Sequence, residues 1–577
     1  MAKRELSDLR SQRWYAGTSI RGFAHRQRTQ QFGLRREEFM GKPVIGIVNT
    51  WSEMNACHAH LRHRAEAVKR GVWQAGGYPV ELPAQSMAEI MVKPTTMLYR
   101  NFLAMEVEEL LRCHPIDGAV LLGGCDKSTP GMLMGAFSTD LPSIFCPAGP
   151  MSNGRYKGTI TGAGTHTKKY FDMLRRGEID AQEWINLESP MTRTVGTCNT
   201  MGTASTMTSI VDAMGLSPTG ASSIPAVDSG HERMASLCGE LAVKMVWDDL
   251  RPSRLLDRRS FMNGLVAYMA LGGSTNAAIH LIAMAGRLGI ELSLEDMAAK
   301  SEVIPVLANL FPSGEYLMED FYFAGGLKAL LGKVKDHLDL SVPTVEGQTI
   351  GDALEGAECY NDDVIRDVSN PVTPLSKGRT LVVLRGNLAP NGAVLKSSAA
   401  DPKFLKHKGP ALVFDHPDAM MKALDDADFE VSEDTVLVLR NAGPVGAPGM
   451  PEWGNLPIPK SLLKKGVRDI VRICDGRMSG THYGTCVLHV SPEAAVGGPL
   501  ALLQTGDLVS LDVPAGRLDM EVGEEELARR RAALKPSARV YESSFTALYQ
   551  RSVTQADKGC DFDFLAGVRD LPEPEIY

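Results

Sequence analysis

Short, nearly unbroken apolar runs alternate with longer amphipathic ones over the first part of the chain. Lys42–Asn49 (KPVIGIVN) reads as a buried strand, and Tyr78–Leu82, Gly118–Leu122 and Ser143–Cys146 read as further strands. Between them, His60–Gln74 reads as a helix, and Thr96–Arg112 as another with apolar residues at helical spacing. Strand–helix alternation over this length predicts an α/β layer with a largely parallel sheet. From Gly196 to about Ala285 the pattern turns Gly-, Ser- and Met-rich and mostly helical.

The periodicity lapses at Asp367–Gly378 (DVSNPVTPLSKG), which reads as a linker. Beyond it, Thr380–Leu384, Ala411–Phe414, Thr435–Leu439, Asp469–Ile473 and Cys486–Val490 are short β-rich runs separated by Gly and Pro. Leu508–Val522 reads as a hairpin around Pro514-Ala515-Gly516, and Glu524–Leu534 as a charged helix. The expectation is an N-terminal α/β domain over residues 1–375 and a C-terminal β-rich domain, a barrel or sandwich, over 376–577. A chain of 577 residues is too long for one ordinary core, which agrees with two domains.

Composition narrows the class. With 44% hydrophobic residues, 23% charged and a net charge of -8, nothing favours nucleic acid or an anionic membrane surface as a partner. No apolar run approaches the roughly 18–20 residues of a membrane span, and the N-terminus lacks the apolar core of a secretory signal. A cytoplasmic location follows as the expectation. Ten cysteines in such a chain are then expected to be reduced: core residues, nucleophiles or metal ligands. No C-x-x-C pair occurs, so any cluster must gather its cysteines from distant loops.

The densest chemistry is Cys125-Asp126-Lys127, a soft ligand, a hard ligand and a cation in one Gly-rich turn after a strand. Cys57 (NACHAHL) and Cys198 (GTCNTMG) share that polar or Gly-rich loop context, and Cys57, like Cys125, falls between a strand and a helix. In open α/β sheets this carboxyl-end crevice is where ligands bind. Metal ligation and burial as small hydrophobes both suit the three loop cysteines. The other seven, Cys113, Cys146, Cys238, Cys359, Cys474, Cys486 and Cys560, read as core residues. Glu89 and Asp126 also follow strands, and Glu452 follows the turn NAGPVGAPGMP; solvated surface positions compete with metal ligation for each. Lys127 fits a solvated lysine, a phosphate-binding one or part of a hard-metal site. GGCDKS is not a phosphate loop, since no Gly-x-x-x-x-Gly directly precedes the Lys-Ser pair. His60 and His63, with Arg62 and Arg64, read as a solvated helix face rather than a zinc site. In Asp475-Gly-Arg-Met-Ser-Gly-Thr481, Ser479 is either presented to a pocket or part of an ordinary turn, and no G-x-S-x-G elbow supports a hydrolase.

Taken in order, NACHAHL, GGCDKSTPG, GTCNTMGTAST, PGMPE and DGRMSGT closely resemble the dihydroxy-acid dehydratase/phosphogluconate dehydratase family, over nearly the whole chain. The resemblance implies an iron–sulfur cluster on Cys57, Cys125 and Cys198, with [2Fe–2S] preferred over [4Fe–4S]. It implies Mg2+ at Glu89, Asp126, Lys127 and Glu452, with Lys127 a candidate carbamate. Ser479 matches the family's base, and Thr481 is a substrate-binding candidate. Three thiolates leave a cluster one ligand short, and the open iron would act as a Lewis acid. The implied partner is a small polyhydroxy acid, and the implied assembly a homodimer or homotetramer. Cys57-His58, the surroundings of Glu89 and Met478-Ser479-Gly480-Thr481 depart from the branched-chain pattern, and Glu89 and the MSGTHYGT stretch look more like the sugar-acid branch. The expected reaction is dehydration of an aldonate such as arabinonate, xylonate or gluconate to the 2-keto-3-deoxy acid. The alternatives are 2,3-dihydroxyisovalerate dehydration and, outside enzymes, an iron–sulfur sensor.

Overall fold

The computed structural model describes residues 3–576 apart from 455, 536–538, 566 and 568–572. Its first sheet is formed by β1 (Val44–Asn49), β2 (Tyr78–Pro83), β3 (Gly118–Gly123) and β4 (Ser143–Pro147), in spatial order β2-β1-β3-β4. Every pairing is parallel, because each crossover is helical: Leu61–Gln74, Met97–Cys113 and Ser128–Thr139. β1, β3 and β4 are buried along their whole length, as a sheet covered on both faces requires. Helix packing on one side is unusually close. A side chain at Gly71 of Leu61–Gln74 would fall 1.9 Å from the Ser236 carbonyl of helix Ser229–Trp247. A small hairpin, β5 (Gly154–Tyr156) and β6 (Thr159–Thr161), follows β4. The helical stretch expected from Gly196 contains Thr203–Ala213, Ser229–Trp247, Arg258–Ala270 and Asn276–Arg287.

The second sheet has eight strands: β7 (Val382–Leu384), β8 (Gly392–Leu395), β9 (Lys406–Phe414), β10 (Val436–Leu439), β11 (Arg472–Cys474), β12 (Cys486–Ser491), β13 (Leu508–Asp512) and β14 (Arg517–Met520). Their order is β14-β13-β9-β10-β11-β12-β8-β7, with a parallel centre, β9 to β12, and antiparallel flanks. The edges meet. Arg385 N donates to Gly516 O at 2.8 Å and Leu518 N to Arg385 O at 2.9 Å, bringing the end of β7 to β14 and nearly closing a barrel. Closure removes the exposed edges that an open sheet would present. The expected hairpin is present with Val509 opposite Met520, whereas β8, only four residues long, was not anticipated.

Two expectations about side chains fail. Cys113 is exposed at the end of its helix beside His114, and Cys359 is only partly buried, so neither is a core residue. His60 is buried rather than solvated: its Nε2 lies 2.7 Å from Ala148 O, because the first helical turn faces the loop after β4. His63 is exposed, as expected.

The C-terminal segment returns to the first domain. Arg100 donates to the carbonyls of Gly559 and Cys560 at 2.9 and 2.8 Å, and Arg287 forks onto both Asp561 oxygens at 2.6 and 3.0 Å. Both arginines are wholly buried, so their charges depend on these partners. Asp561→Ala is expected to lower stability by about 3 kcal/mol, measured by urea unfolding, because it removes the forked partner of a buried guanidinium and leaves it only Glu108 at 3.5 Å and the Ser138 hydroxyl.

Candidate active site

The sheet order reverses between β1 and β3, and the crevice beyond their carboxyl ends is where a doubly wound sheet binds ligands. Both strands end there in cysteine loops. Gly124 allows the second loop to lie flat, since a side chain on it would meet the Ala148 Cβ at 2.7 Å. Hydrogen bonds stitch the three cysteine loops together. Gly196 N donates to Ala56 O at 3.1 Å, joining the Cys198 loop to the Cys57 loop. His58 joins the Cys57 loop to the Cys125 loop: Cys125 N donates to its Nε2 at 3.0 Å, and its Nδ1 lies 3.0 Å from Thr50 O. With Nε2 accepting, Nδ1 must carry the proton, so the ring is neutral. Burial agrees, pushing the His58 pKa down to about 3.

Cys57, Cys125 and Cys198 share one electrostatic neighbourhood. A hydrogen bond with Cys125, burial and the nearby charges of Cys125, Cys198 and Asp126 push the Cys57 thiol well up. Burial, followed by Asp126, Cys125 and Glu452, pushes Cys198 up to about 12. Three such groups become thiolates together only when a cation compensates them. As a donor set they therefore suit a metal cluster, and the remaining cysteines offer no obvious fourth ligand: Cys146, Cys238 and Cys560, for example, lie against methionine sulfurs.

Beside the thiols lies a charged knot. Lys127 Nζ, fully buried, is 3.1 Å from Glu89, 3.3 Å from Asp126 and 3.2 Å from Glu452. Burial and the Arg477 guanidinium pull its pKa down, but Glu452, Glu89 and Asp126 outweigh them and raise it. For Glu89, burial is outweighed by Lys127 and Arg477 and by hydrogen bonds from Thr96 and Thr95, which hold it at about 2. For Asp126 burial prevails, and its pKa rises. Among the described residues, no three His, Cys, Asp or Glu side chains form a ready single-metal site. The Lys127 ammonium holds the centre of the carboxylate set.

The second domain supplies Glu452, Arg477 and Ser479. Asn441–Glu452 is irregular and is shaped by two buried carboxylates. Asp475 accepts from Asn441 N and Ala442 N at 3.1 and 2.8 Å, and Glu493 from Val445 N and Gly446 N at 2.9 and 2.8 Å. Arg477 donates to Met450 O (2.8 Å), Glu452 (2.9 Å) and Thr95 Oγ1 (3.1 Å), tying the Glu452 loop to the Glu89 segment. Asn276 donates to Glu452 at 2.8 Å and to Thr203 Oγ1 at 3.2 Å. Gly480 presses on Ser274 and on Thr203 N, at the start of helix Thr203–Ala213; a side chain there would meet them at 2.5 and 2.8 Å. Ser479 Oγ lies 3.0 Å from Thr481 Oγ1. The structure thus brings the sequence candidates together where the two domains meet. Sequence reasoning missed His58, Thr95, Thr96, Asn276 and Arg477. Arg477 stood inside a quoted motif, but nothing in its spacing marked it.

Family models for this arrangement match both parts: dihydroxy-acid/6-phosphogluconate dehydratase N-terminal over residues 42–353 and C-terminal over 363–560. The chain belongs to the dihydroxy-acid/6-phosphogluconate dehydratase family. Within it, the chain is 65% identical to the 6-deoxy-6-sulfo-D-gluconate dehydratase of Pseudomonas putida, covering 100% of this chain and 99% of that one. It is 49% identical to the L-arabinonate dehydratase of Rhizobium leguminosarum, over 97% of both chains. A dihydroxy-acid dehydratase of Caldanaerobacter subterraneus is 37% identical over 93% of this chain and 97% of that one. The resemblance to the sugar-acid branch is therefore borne out.

Arg477→Lys keeps the charge but not the fork that spans Met450, Glu452 and Thr95. In this dehydratase it is expected to lower kcat at least tenfold, about 1.4 kcal/mol, with an unchanged far-ultraviolet circular dichroism spectrum.

Proposed function

We propose that the chain dehydrates 6-deoxy-6-sulfogluconate to its 2-keto-3-deoxy acid, with an iron–sulfur cluster on Cys57, Cys125 and Cys198 and Mg2+ beside it. The observation that carries the substrate is the 65% identity, end to end, with a 6-deoxy-6-sulfo-D-gluconate dehydratase. The donor sets support the cofactors: stitched thiols on one side, and Glu89, Asp126 and Glu452 around Lys127 on the other. A divalent ion could take the centre of that knot once Lys127 is converted from cation to ligand. Forming a carbamate on Nζ removes two units of positive charge, and Mg2+ returns two, so the balance of the buried site is kept.

When bound, the two metal centres supply Lewis acidity toward the C3 hydroxyl and toward the carboxylate and C2 oxygen. The chain's own residues do the rest. Ser479 Oγ takes the proton from C2, C3 loses hydroxide, and the resulting enol tautomerises to the ketone. Thr481 Oγ1, 3.0 Å away, orients the serine oxygen. The start of helix Thr203–Ala213 lies against Gly480, and its positive end favours negative charge on the neighbouring alkoxide. Arg477 and Asn276 hold Glu452 in place.

Ser479→Ala is expected to abolish turnover while bound iron, assayed chemically, stays at the wild-type level; retained activity would remove Ser479 as the base. Cys125→Ser is expected to lose iron, and an unchanged iron content refutes ligation by Cys125. On anaerobically reconstituted enzyme, kcat/KM should be highest on 6-deoxy-6-sulfogluconate, at least tenfold above gluconate, arabinonate, xylonate and 2,3-dihydroxyisovalerate. Equal values across the panel would defeat the substrate assignment.

A further inference from the structure

Next to the catalytic loop lies a polar cluster to which neither the fold nor the dehydration chemistry assigns a task. Thr165, at the start of helix Thr165–Arg176, donates through Oγ1 to Thr481 O at 2.5 Å. Lys168 follows three residues later on the same helix, about 4.5 Å further along its axis at about 1.5 Å per residue. It therefore extends past Thr481 toward the next residues of the catalytic loop. Its Nζ lies 5.1 Å from the centroid of the Tyr483 ring. His482, between Thr481 and Tyr483, has a buried Nδ1 that finds no hydrogen-bond partner among the described residues. Burial, followed by the nearby charges of Lys168 and Arg472, depresses the protonation of His482. Asp172 and Asp469 are the acids that face Lys168. Asp469 is already engaged by Arg472 at 2.6 Å and by Thr485 Oγ1 at 2.7 Å. The cluster thus sets two cations, Lys168 and Arg472, against two acids, holds an unsatisfied donor or acceptor on His482, and adjoins the catalytic loop.

Its place along the chain of contacts that leads from Lys127 is the informative part. The carboxylate knot around Lys127 comes first, then Asn276, which bonds both Glu452 and Thr203, then Gly480 against Thr203, with Ser479 before it and Thr481 after it in the loop. Lys168 and His482 come after Thr481. A sugar acid with its carboxylate at the knot and C2 at Ser479 would run its remaining carbons in this direction. In a 6-deoxy-6-sulfonate, four carbon–carbon bonds beyond C2 lead to a full negative charge. Gluconate places an uncharged hydroxyl there.

We propose that Lys168 and His482 form the subsite for the terminal sulfonate, with the Lys168 ammonium and the His482 Nδ1–H donating to its oxygens. The assignment rests on the sulfonated substrate proposed above. It makes Lys168 a specificity-determining residue: its ammonium meets a charge that gluconate lacks, while both substrates present the same groups at C1 to C3. Charge-assisted hydrogen bonds to an anion are the strong kind, so their loss should be visible in discrimination between the two substrates.

The test is a matched pair of substrates, 6-deoxy-6-sulfogluconate and gluconate, which differ only at C6. The quantity read is the ratio of their kcat/KM values in the wild type, Lys168→Met, Lys168→Arg and His482→Ala. Lys168→Met should lower the sulfonate-to-gluconate ratio at least tenfold, and Lys168→Arg should keep it within about threefold of the wild type. His482→Ala approaches the subsite from the other domain and should lower the ratio in the same direction, which covers a failure of Lys168→Met to fold. A wild-type preference for the sulfonate that both Lys168→Met and His482→Ala leave within twofold overturns the subsite and spares the proposed substrate. A wild type without that preference overturns both.

Discussion

Carboxylates gathered in a water-poor cleft repel one another, by about 4 kcal/mol for two charges 4 Å apart at an effective dielectric near 20. Glu89, Asp126 and Glu452 endure this only because Lys127 and Arg477 stand among them. The partners are divided between the domains. Glu89, Asp126 and Lys127 come from the first, whereas Glu452 and Arg477 come from the second. Pulling the domains apart would separate Lys127 from Glu452 and Arg477 from the Glu89 segment, so the charge balance also fixes how the domains meet. Much of the nearby structure serves that knot. Asp475 and Glu493 shape the irregular loop that delivers Glu452, and Asn276 holds its carboxylate from the helical side.

The thiols are placed by a different means. They stand at a topological switch point, where the backbone of a parallel sheet opens a crevice without help from side chains. His58 and the Ala56–Gly196 bond then lock three separate loops into one wall. Soft donors thus depend on sheet topology and hard donors on the meeting of two domains. Cys125 and Asp126 are the adjacent residues at which the two systems touch.

Much of this was legible in the sequence. The strands of the first sheet announced themselves because parallel strands buried on both faces are continuous apolar runs, and Val44–Asn49 and Gly118–Gly123 are such runs. The candidate residues were found as types in loops after strands, and motif resemblance, not spacing, brought them together. What stayed hidden depends on tertiary context. β8 is too short for a periodicity of its own, and its pairing with β12 and β7 makes it a strand. His60 resembled a surface histidine because its neighbours at 62 to 64 are charged or polar, yet the turn after β4 covers it. Arg477 and Asn276 act through partners far away in sequence, 382 residues for Arg477 with Thr95 and 176 for Asn276 with Glu452, and no local pattern reports such distances.

The return of the C-terminal segment to the first domain has a consequence for how the molecule is made. Arg100 and Arg287 lie in helices made well before their partners: the carbonyls of Gly559 and Cys560 follow Arg100 by 459 and 460 residues, and the carboxylate of Asp561 follows Arg287 by 274. Domains generally fold in order of synthesis, the N-terminal one first. Here that order is frustrated: until residue 561 leaves the exit tunnel, the first domain carries guanidinium groups whose buried positions lack their full set of partners. The segment around residues 559–561 is therefore the clasp that completes the packing around these two arginines.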